Sequence, residues 1–394
     1  MTAKVTSAAA PHESDAAATP DQGAAHFRFF DNREKYLLFV TTCSEKWVVA
    51  EQVGQELAQL APLPPALRIF DAGMGDATVL TRVLRHAHSQ FPTVPLFVVG
   101  KEISLEDVRL SLEKMADRFC EHPQTVLVLT NLYYSEAPWL TPNSAKAAAQ
   151  LNWFDVPLSG NSAHDFDAQI RNLQPTLAEG WQVRSSERTG NPLYVRPSVL
   201  VLYREDQRFQ LDRVIPQPGR QEHGYDLVMA SQPFRARLDA EAKVRNVLAP
   251  LARAIRPGGR MLVIQSYGND PGMEIINELW PDEAPFQTGR EALIDNMRGV
   301  LEDAHPDLRF HGYPDNRSIF RYNLHFLPSE LSSIGTSTLL AAWNAAAYVA
   351  QIDDRQLTEA MTSGAYLAPT RRVLQKYNGL WFNDESFAVS RRQS

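Results

Sequence analysis

The clearest chemical pattern in the chain is Ile69-Phe-Asp71-Ala-Gly73-Met-Gly75-Asp76, an apolar run that ends in an acid and leads into two glycines one residue apart. Glycine has no Cβ and tolerates left-handed backbone, so this spacing lets the chain turn sharply and come close to a bulky ligand. After a parallel strand, such a turn lies at the carboxyl edge of the sheet, where ligands bind. Other chemistry-bearing patterns are absent: the chain has no HExxH, no GxSxG and no GxxxxGK[ST]. This argues against the common zinc-protease, α/β-hydrolase and phosphate-loop routes. His86 and His88 are two residues apart on an expected helix and so face different directions, which does not make a metal site. Cys43 and Cys120 stand in no CxxC or Cys/His cluster, which suits a reducing, cytoplasmic location.

The elements that must position the glycine turn follow from the hydrophobic pattern. Residues 67–70 and 95–99 and the run Thr125-Val-Leu-Val-Leu-Thr130 are expected strands, separated by helices over 77–89 and 105–120. Strand and helix alternating at this spacing predict a parallel sheet with crossover helices. The rhythm breaks over 138–223, apart from the β-like run 198–203, and resumes with a strand over 225–230 and a helix over 240–255. Arg256-Pro-Gly-Gly259 then turns into a strand over 260–266. A second irregular stretch covers 267–329 with a helix near 291–304; helices over 338–350 and 354–376 and a strand over 386–390 follow. Upstream, residues 33–60 have helical composition and are stopped by Pro62, Pro64 and Pro65.

This arrangement divides the chain into a disordered tail (1–25), a helical N-terminal lid (26–65) and one large domain (66–394) with inserts at about 138–223 and 267–329. The 394 residues carry 44% hydrophobic and 22% charged side chains, which excludes disorder as the main state. With 39 Lys and Arg against 46 Asp and Glu, the net charge is −7. A general binder of phosphate backbones normally shows a basic excess, so nucleic acid is disfavoured as a partner. No apolar run is long enough to span a membrane, and the Ala-, Ser- and Pro-rich start lacks the apolar core of a secretory signal.

The dinucleotide fingerprint G-x-G-x-x-G/A fails at Thr78. The D-x-G-x-G form, with Asp71 before Gly73 and Gly75, instead resembles motif I of the class I S-adenosylmethionine-dependent methyltransferases. Further stretches resemble that family in order: Gly100-Lys-Glu102, Thr130-Asn131-Leu132, Tyr225-Asp-Leu-Val-Met-Ala230, and Leu251 through Pro257-Gly-Gly259 to Ile264. The resemblance implies an α/β fold: a Rossmann-like, doubly wound, mainly parallel seven-stranded sheet. It also implies S-adenosylmethionine as cofactor, with Asp71, Ala72, Gly73 and Gly75 shaping its methionine pocket. Glu102 and Ile103 would serve the ribose, where the two oxygens of one carboxylate match two adjacent hydroxyl donors. Asn131 and Leu132 would hold the adenine end.

Ser231-Gln-Pro-Phe234, after the fourth strand, resembles the (D/N/S)-P-P-(Y/F/W) loop of amino-methyltransferases but departs from it at Gln232. In that loop an oxygen accepts from a planar amine while the ring stacks on it. Ser231 and Phe234 are therefore candidate acceptor residues, with Tyr36, Tyr133, Tyr134 and Tyr267. No catalytic base is assigned. The expected activity is methyl transfer to an N or O atom of a small molecule. The alternatives are an amino-methyltransferase of nucleic acid or protein, and a non-catalytic domain of the same fold.

Overall fold

A computed structural model describes residues 33–187, 190–220 and 224–393. The expected tail over 1–25 and the His26–Phe30 run lie outside the described residues. The strands are β1 (Leu67–Asp71), β2 (Leu96–Lys101), β3 (Thr125–Thr130), β4 (Asn152–Leu158), β5 (Val183–Ser185), β6 (Pro192–Tyr194), β7 (Ser198–Arg204), β8 (Tyr225–Ser231), β9 (Ile255–Ser266), β10 (Leu308–His311), β11 (Ile319–Asn323) and β12 (Trp381–Arg391). Ten of them form one sheet in the order β10-β12-β9-β8-β1-β2-β3-β7-β4, with β11 also paired to β12. From β9 through β3 every pairing is parallel. β12 runs antiparallel to both β9 and β10.

The expected doubly wound sheet is therefore present as the stretch from β10 to β3. It is longer than seven strands because the segment 138–223 is not irregular: its β7 pairs antiparallel with β3, and its β4 pairs parallel with β7. β7 is the Ser198–Tyr203 run, whose seven residues are all buried. In β4 Leu158 is fully buried, Asp155 is exposed and the other five residues are half-buried, which is why its pattern was faint in the sequence.

Successive strand residues point to opposite faces. Phe70, Phe97, Val128 and Val228 join one core layer, with Val244 and Leu293 from the helices beyond it. Ile69, Val98, Leu127 and Leu227 join the other, against α2 (Glu45–Leu57), α3 (Thr78–Gln90) and α4 (Leu105–Glu113). Each fully buried Val or Leu contributes about 1.5–3 kcal/mol. A third cluster packs α1 (Arg33–Thr42), through Phe39, against Trp343 of the helix Thr336–Val349 and Phe382 of β12. The expected helix over 105–120 is two, α4 and α5 (Ala116–Glu121). The helix expected over 354–376 is likewise split at Gly364, whose φ is +71°. No helix among the described residues is long and apolar enough to cross a membrane.

Candidate active site

Strand order reverses at β1: β2 and β3 lie to one side and β8 and β9 to the other. The crevice at the carboxyl ends of β1 and β8 is the place where open α/β sheets take ligands, and the Asp71–Asp76 turn sits on it. A Cβ built on Gly73 would meet only the Ser231 carbonyl oxygen, at 4.0 Å. Among the described residues nothing fills the space that this glycine leaves. Gly75 differs: its φ is +52° and the Tyr36 hydroxyl lies 3.0 Å from where a Cβ would be, so both conformation and space demand glycine.

Glu102, just beyond β2, locks the turn. Its carboxylate accepts from the N–H groups of Gly75 (2.9 Å), Ile103 (2.7 Å) and Ser104 (2.9 Å). From the segment 138–223, Trp181 donates its indole N–H to the Glu102 carbonyl (2.8 Å). Lys114 closes the far side, donating to the Asp76 carbonyl (2.7 Å) and the Thr78 hydroxyl (2.7 Å) and pairing with the Asp76 carboxylate. Burial opposes ionisation of Asp76, but Lys114 and Thr78 win and hold its carboxyl below the ordinary range. Among the described residues the Asp71 carboxyl accepts from the Gly73 N–H alone, at 3.3 Å. Burial, with Glu102 nearby, pushes its carboxyl up to about 7.

The other expected site residues have the following surroundings. Asn131 is fully buried and committed to the backbone: Nδ2 donates to the carbonyls of Gly180 (2.9 Å) and Arg196 (3.0 Å), and Oδ1 accepts from Ser198 N–H (2.8 Å). It ties β3 to the 138–223 segment. Ala72 and Leu132 are core residues with no exposed side chain. Phe234 is also packed in the core, with the Lys243 ammonium 4.8 Å from its ring centre. Tyr133 stacks on Tyr194 at 4.5 Å. Tyr134 donates to the Pro233 carbonyl (2.7 Å) under the Lys101 ammonium, 4.7 Å from its ring centre. Tyr267 bonds through its main chain to Asn383 (2.9 Å), and Ser231 ends β8 beside Gly73.

Tyr36 is the expected acceptor residue that the structure brings to the glycine turn. Its hydroxyl donates to Asp76 (3.3 Å), and its ring centre is 6.1 Å from that of Tyr348. Beside it, between α1, α2 and the ends of β8 and β9, lies a cavity of about 60 Å³ lined by Phe39, Glu45, Lys46, Gln232, Tyr322 and Tyr348 among others. Gln232 adopts a left-handed φ of +50°. Its amide donates to Ser266 Oγ (3.0 Å) and Asp384 Oδ1 (3.3 Å). Glu45, Lys46 and Asp384 were not anticipated from the sequence; the one available signal was an acid pair, Asp384-Glu385, between Trp381-Phe382 and the apolar run Phe387-Ala-Val389 of one strand. A separate cavity of about 640 Å³ lies beside the helix Pro271–Leu279, with Asn269, Phe286 and Trp381 in its wall. Among the described residues no cluster of His, Cys, Asp and Glu could hold a metal ion. His86 faces Glu51 (3.4 Å), whereas His88 meets His122 (3.0 Å).

The architecture is a doubly wound, mainly parallel sheet with a glycine turn at its switch point and an acid closing the second strand. No protein-family model matches the chain, and no curated protein matches it. Among solved structures it is similar to geranyl diphosphate methyltransferase in complex with GPP and sinefungin. The two are 11% identical, with 86% of this chain and 78% of that one covered and a TM-score of 0.33. It is also similar to loganic acid methyltransferase with SAH, at 9% identity, 95% and 99% coverage and a TM-score of 0.36. At that distance the reading of the site rests on this chain's own residues.

Proposed function

We propose that the chain binds S-adenosylmethionine at the carboxyl edge of β1 and β2 and transfers its methyl group to a small-molecule acceptor. The observation that carries this reading is the unfilled space at Gly73, at the switch point and beside a carboxylate already fixed by three backbone N–H groups. When bound, the cofactor supplies an electrophilic methyl group on a sulfonium. Gly73 and Gly75 admit it close to the backbone, and Ile103 borders the same acid. Glu102 has lone pairs left to accept from two neighbouring hydroxyls. Asp71, buried and poorly compensated, places negative charge where a cationic ligand gains most from it. Tyr36 covers Gly75 and keeps water from the turn. The chain's acidic balance favours a small acceptor over nucleic acid.

Calorimetry with S-adenosylhomocysteine tests the reading. Binding by the wild type and a loss of tenfold or more in Glu102→Ala are expected, since hydrogen bonds to a charged group are worth about 1.5–3 kcal/mol each. No binding by the folded wild-type chain sinks the proposal.

A further inference from the structure

Lys101 is the last residue of β2, and its carbonyl accepts from the Met74 N–H of the glycine turn (3.1 Å). Its side chain is half-buried and lies on the sheet face of Phe97 and Val99, opposite to that of Glu102. The ammonium is 4.7 Å from the ring centre of Tyr134, and among the described residues it meets no hydrogen-bond acceptor and no ion-pair partner. Lys46, Lys114 and Lys243, which are also turned inward, each have a protein oxygen within 3.2 Å. Burial lowers the pKa of Lys101, and the charge of Glu102 raises it again in part. Glu102 does not pair with it, because both carboxylate oxygens accept from the N–H groups of Gly75, Ile103 and Ser104. Asp71, the other acid in electrostatic reach of Tyr134, is turned to the Gly73 N–H. A lysine drawn out of water is ordinarily paired, so this ammonium calls for an anion from outside the chain. Tyr134 fixes where the charge stands. Its hydroxyl donates to the Pro233 carbonyl (2.7 Å) in the loop after β8, and Ser231, where that loop begins, borders the space at Gly73.

We propose that Lys101 binds an anionic oxygen group of the acceptor, a carboxylate or a phosphate, beside the ring of Tyr134 at the ends of β2 and β3. An ammonium offers three donors to such oxygens, and bonds between charged partners are stronger than neutral ones. Glu102 and Lys101, adjacent in sequence, then serve opposite faces of the sheet: the acid faces the glycine turn and the lysine the loop after β8. Lys101 thereby selects an acidic acceptor. That the anion belongs to the acceptor rests on the methyltransferase reading; anion binding itself does not.

Titration calorimetry on the full chain with benzoate, phenyl phosphate and the uncharged benzamide, with and without saturating S-adenosylhomocysteine, tests the inference. One of the two anions is expected to bind about tenfold or more tightly than benzamide, as hydrogen bonds to a charged group imply, and the tighter one names the group. Lys101→Met should erase that preference and keep the affinity for S-adenosylhomocysteine. Lys101→Arg, which keeps the charge, should retain most of the preference. Equal binding of anions and benzamide by the wild type overturns the inference. So does a preference that survives in Lys101→Met, or one that is lost as fully in Lys101→Arg as in Lys101→Met. A clear loss of S-adenosylhomocysteine affinity in Lys101→Met alone also overturns it, by giving the ammonium to the cofactor's own carboxylate. Binding of S-adenosylhomocysteine without an anion preference removes the anion site alone, whereas an anion preference without it removes the methyltransferase reading and leaves the anion site standing.

Discussion

Gly73 and Gly75 are one residue apart, and the structure predicts opposite consequences for filling them. At Gly73 the φ angle is not left-handed, and an added methyl group meets only the Ser231 carbonyl oxygen at 4.0 Å, an ordinary contact. Gly73→Ala should therefore leave stability unchanged or raise it by about 0.4–1 kcal/mol through the reduced freedom of the unfolded chain. If the space belongs to a bound cofactor, the same methyl group intrudes on it. Overpacking of that kind costs about 1–3 kcal/mol, which is roughly fivefold to 150-fold in the dissociation constant for S-adenosylhomocysteine, and Gly73→Val should lose more. At Gly75 the order reverses: φ is +52° and the new Cβ lies 3.0 Å from the Tyr36 hydroxyl. Left-handed backbone costs an L-residue about 1–2 kcal/mol, so Gly75→Ala should destabilise the protein whether or not ligand is present. Urea unfolding read beside calorimetry separates the two effects. Full cofactor affinity in a well-folded Gly73→Val would refute the assignment of that space.

Three more outcomes are expected. Asp71 has a folded pKa near 7 against an ordinary value of 3.8, so the folded state holds its proton more tightly and loses stability as pH rises from about 4 to 7. Asp71→Asn should therefore be more stable than wild type by a few kcal/mol in urea at pH 7.5, with the gain vanishing near pH 4; a constant difference across that range contradicts the assignment. Asn131→Ala orphans two carbonyls and one N–H in a buried setting. At about 1–3 kcal/mol each, the loss should total several kcal/mol in urea unfolding, and a near-neutral effect would show that the tie is dispensable. Asp76 has a depressed folded pKa, so its contribution is present above the unfolded value and lost as pH falls through the folded one. Lys114→Met removes the cation responsible, and with Lys114 about one-third exposed a loss of about 1–2 kcal/mol at pH 7 is expected. That deficit should shrink toward pH 3 when the same urea series is repeated there.

The glycine turn, the acid at Glu102 and the strands around them were legible because each is local: a run of apolar residues followed by a residue type that the turn requires. The hydrogen bonds of Asn131 were not legible, since its partners Gly180, Arg196 and Ser198 lie 49 to 67 residues away. The surroundings of Phe234 were hidden for a similar reason. In sequence it follows Pro233 in a loop, but Lys243 and the core take up its ring. Glu45, Lys46 and Asp384 come from α2 and β12, at opposite ends of the described chain. No spacing rule joins them, and only the packing of α1 against the helix Thr336–Val349 brings their surroundings together.

The strands contributed by 138–223 also bear on how the protein reaches its native state. Glu102 lies early in the chain, yet the indole that fixes its carbonyl is 79 residues downstream, and β3 lacks its second neighbour until β7 is made. Contacts of such separation form slowly, because a long loop must close before they repay its entropy. The glycine turn should consequently be among the later regions to become protected in a refolding hydrogen-exchange experiment, despite its place near the start. For the same reason 138–223 is not a module that can be cut away to give a smaller enzyme. Its removal would leave β3 as a bare apolar edge open to pairing with other chains.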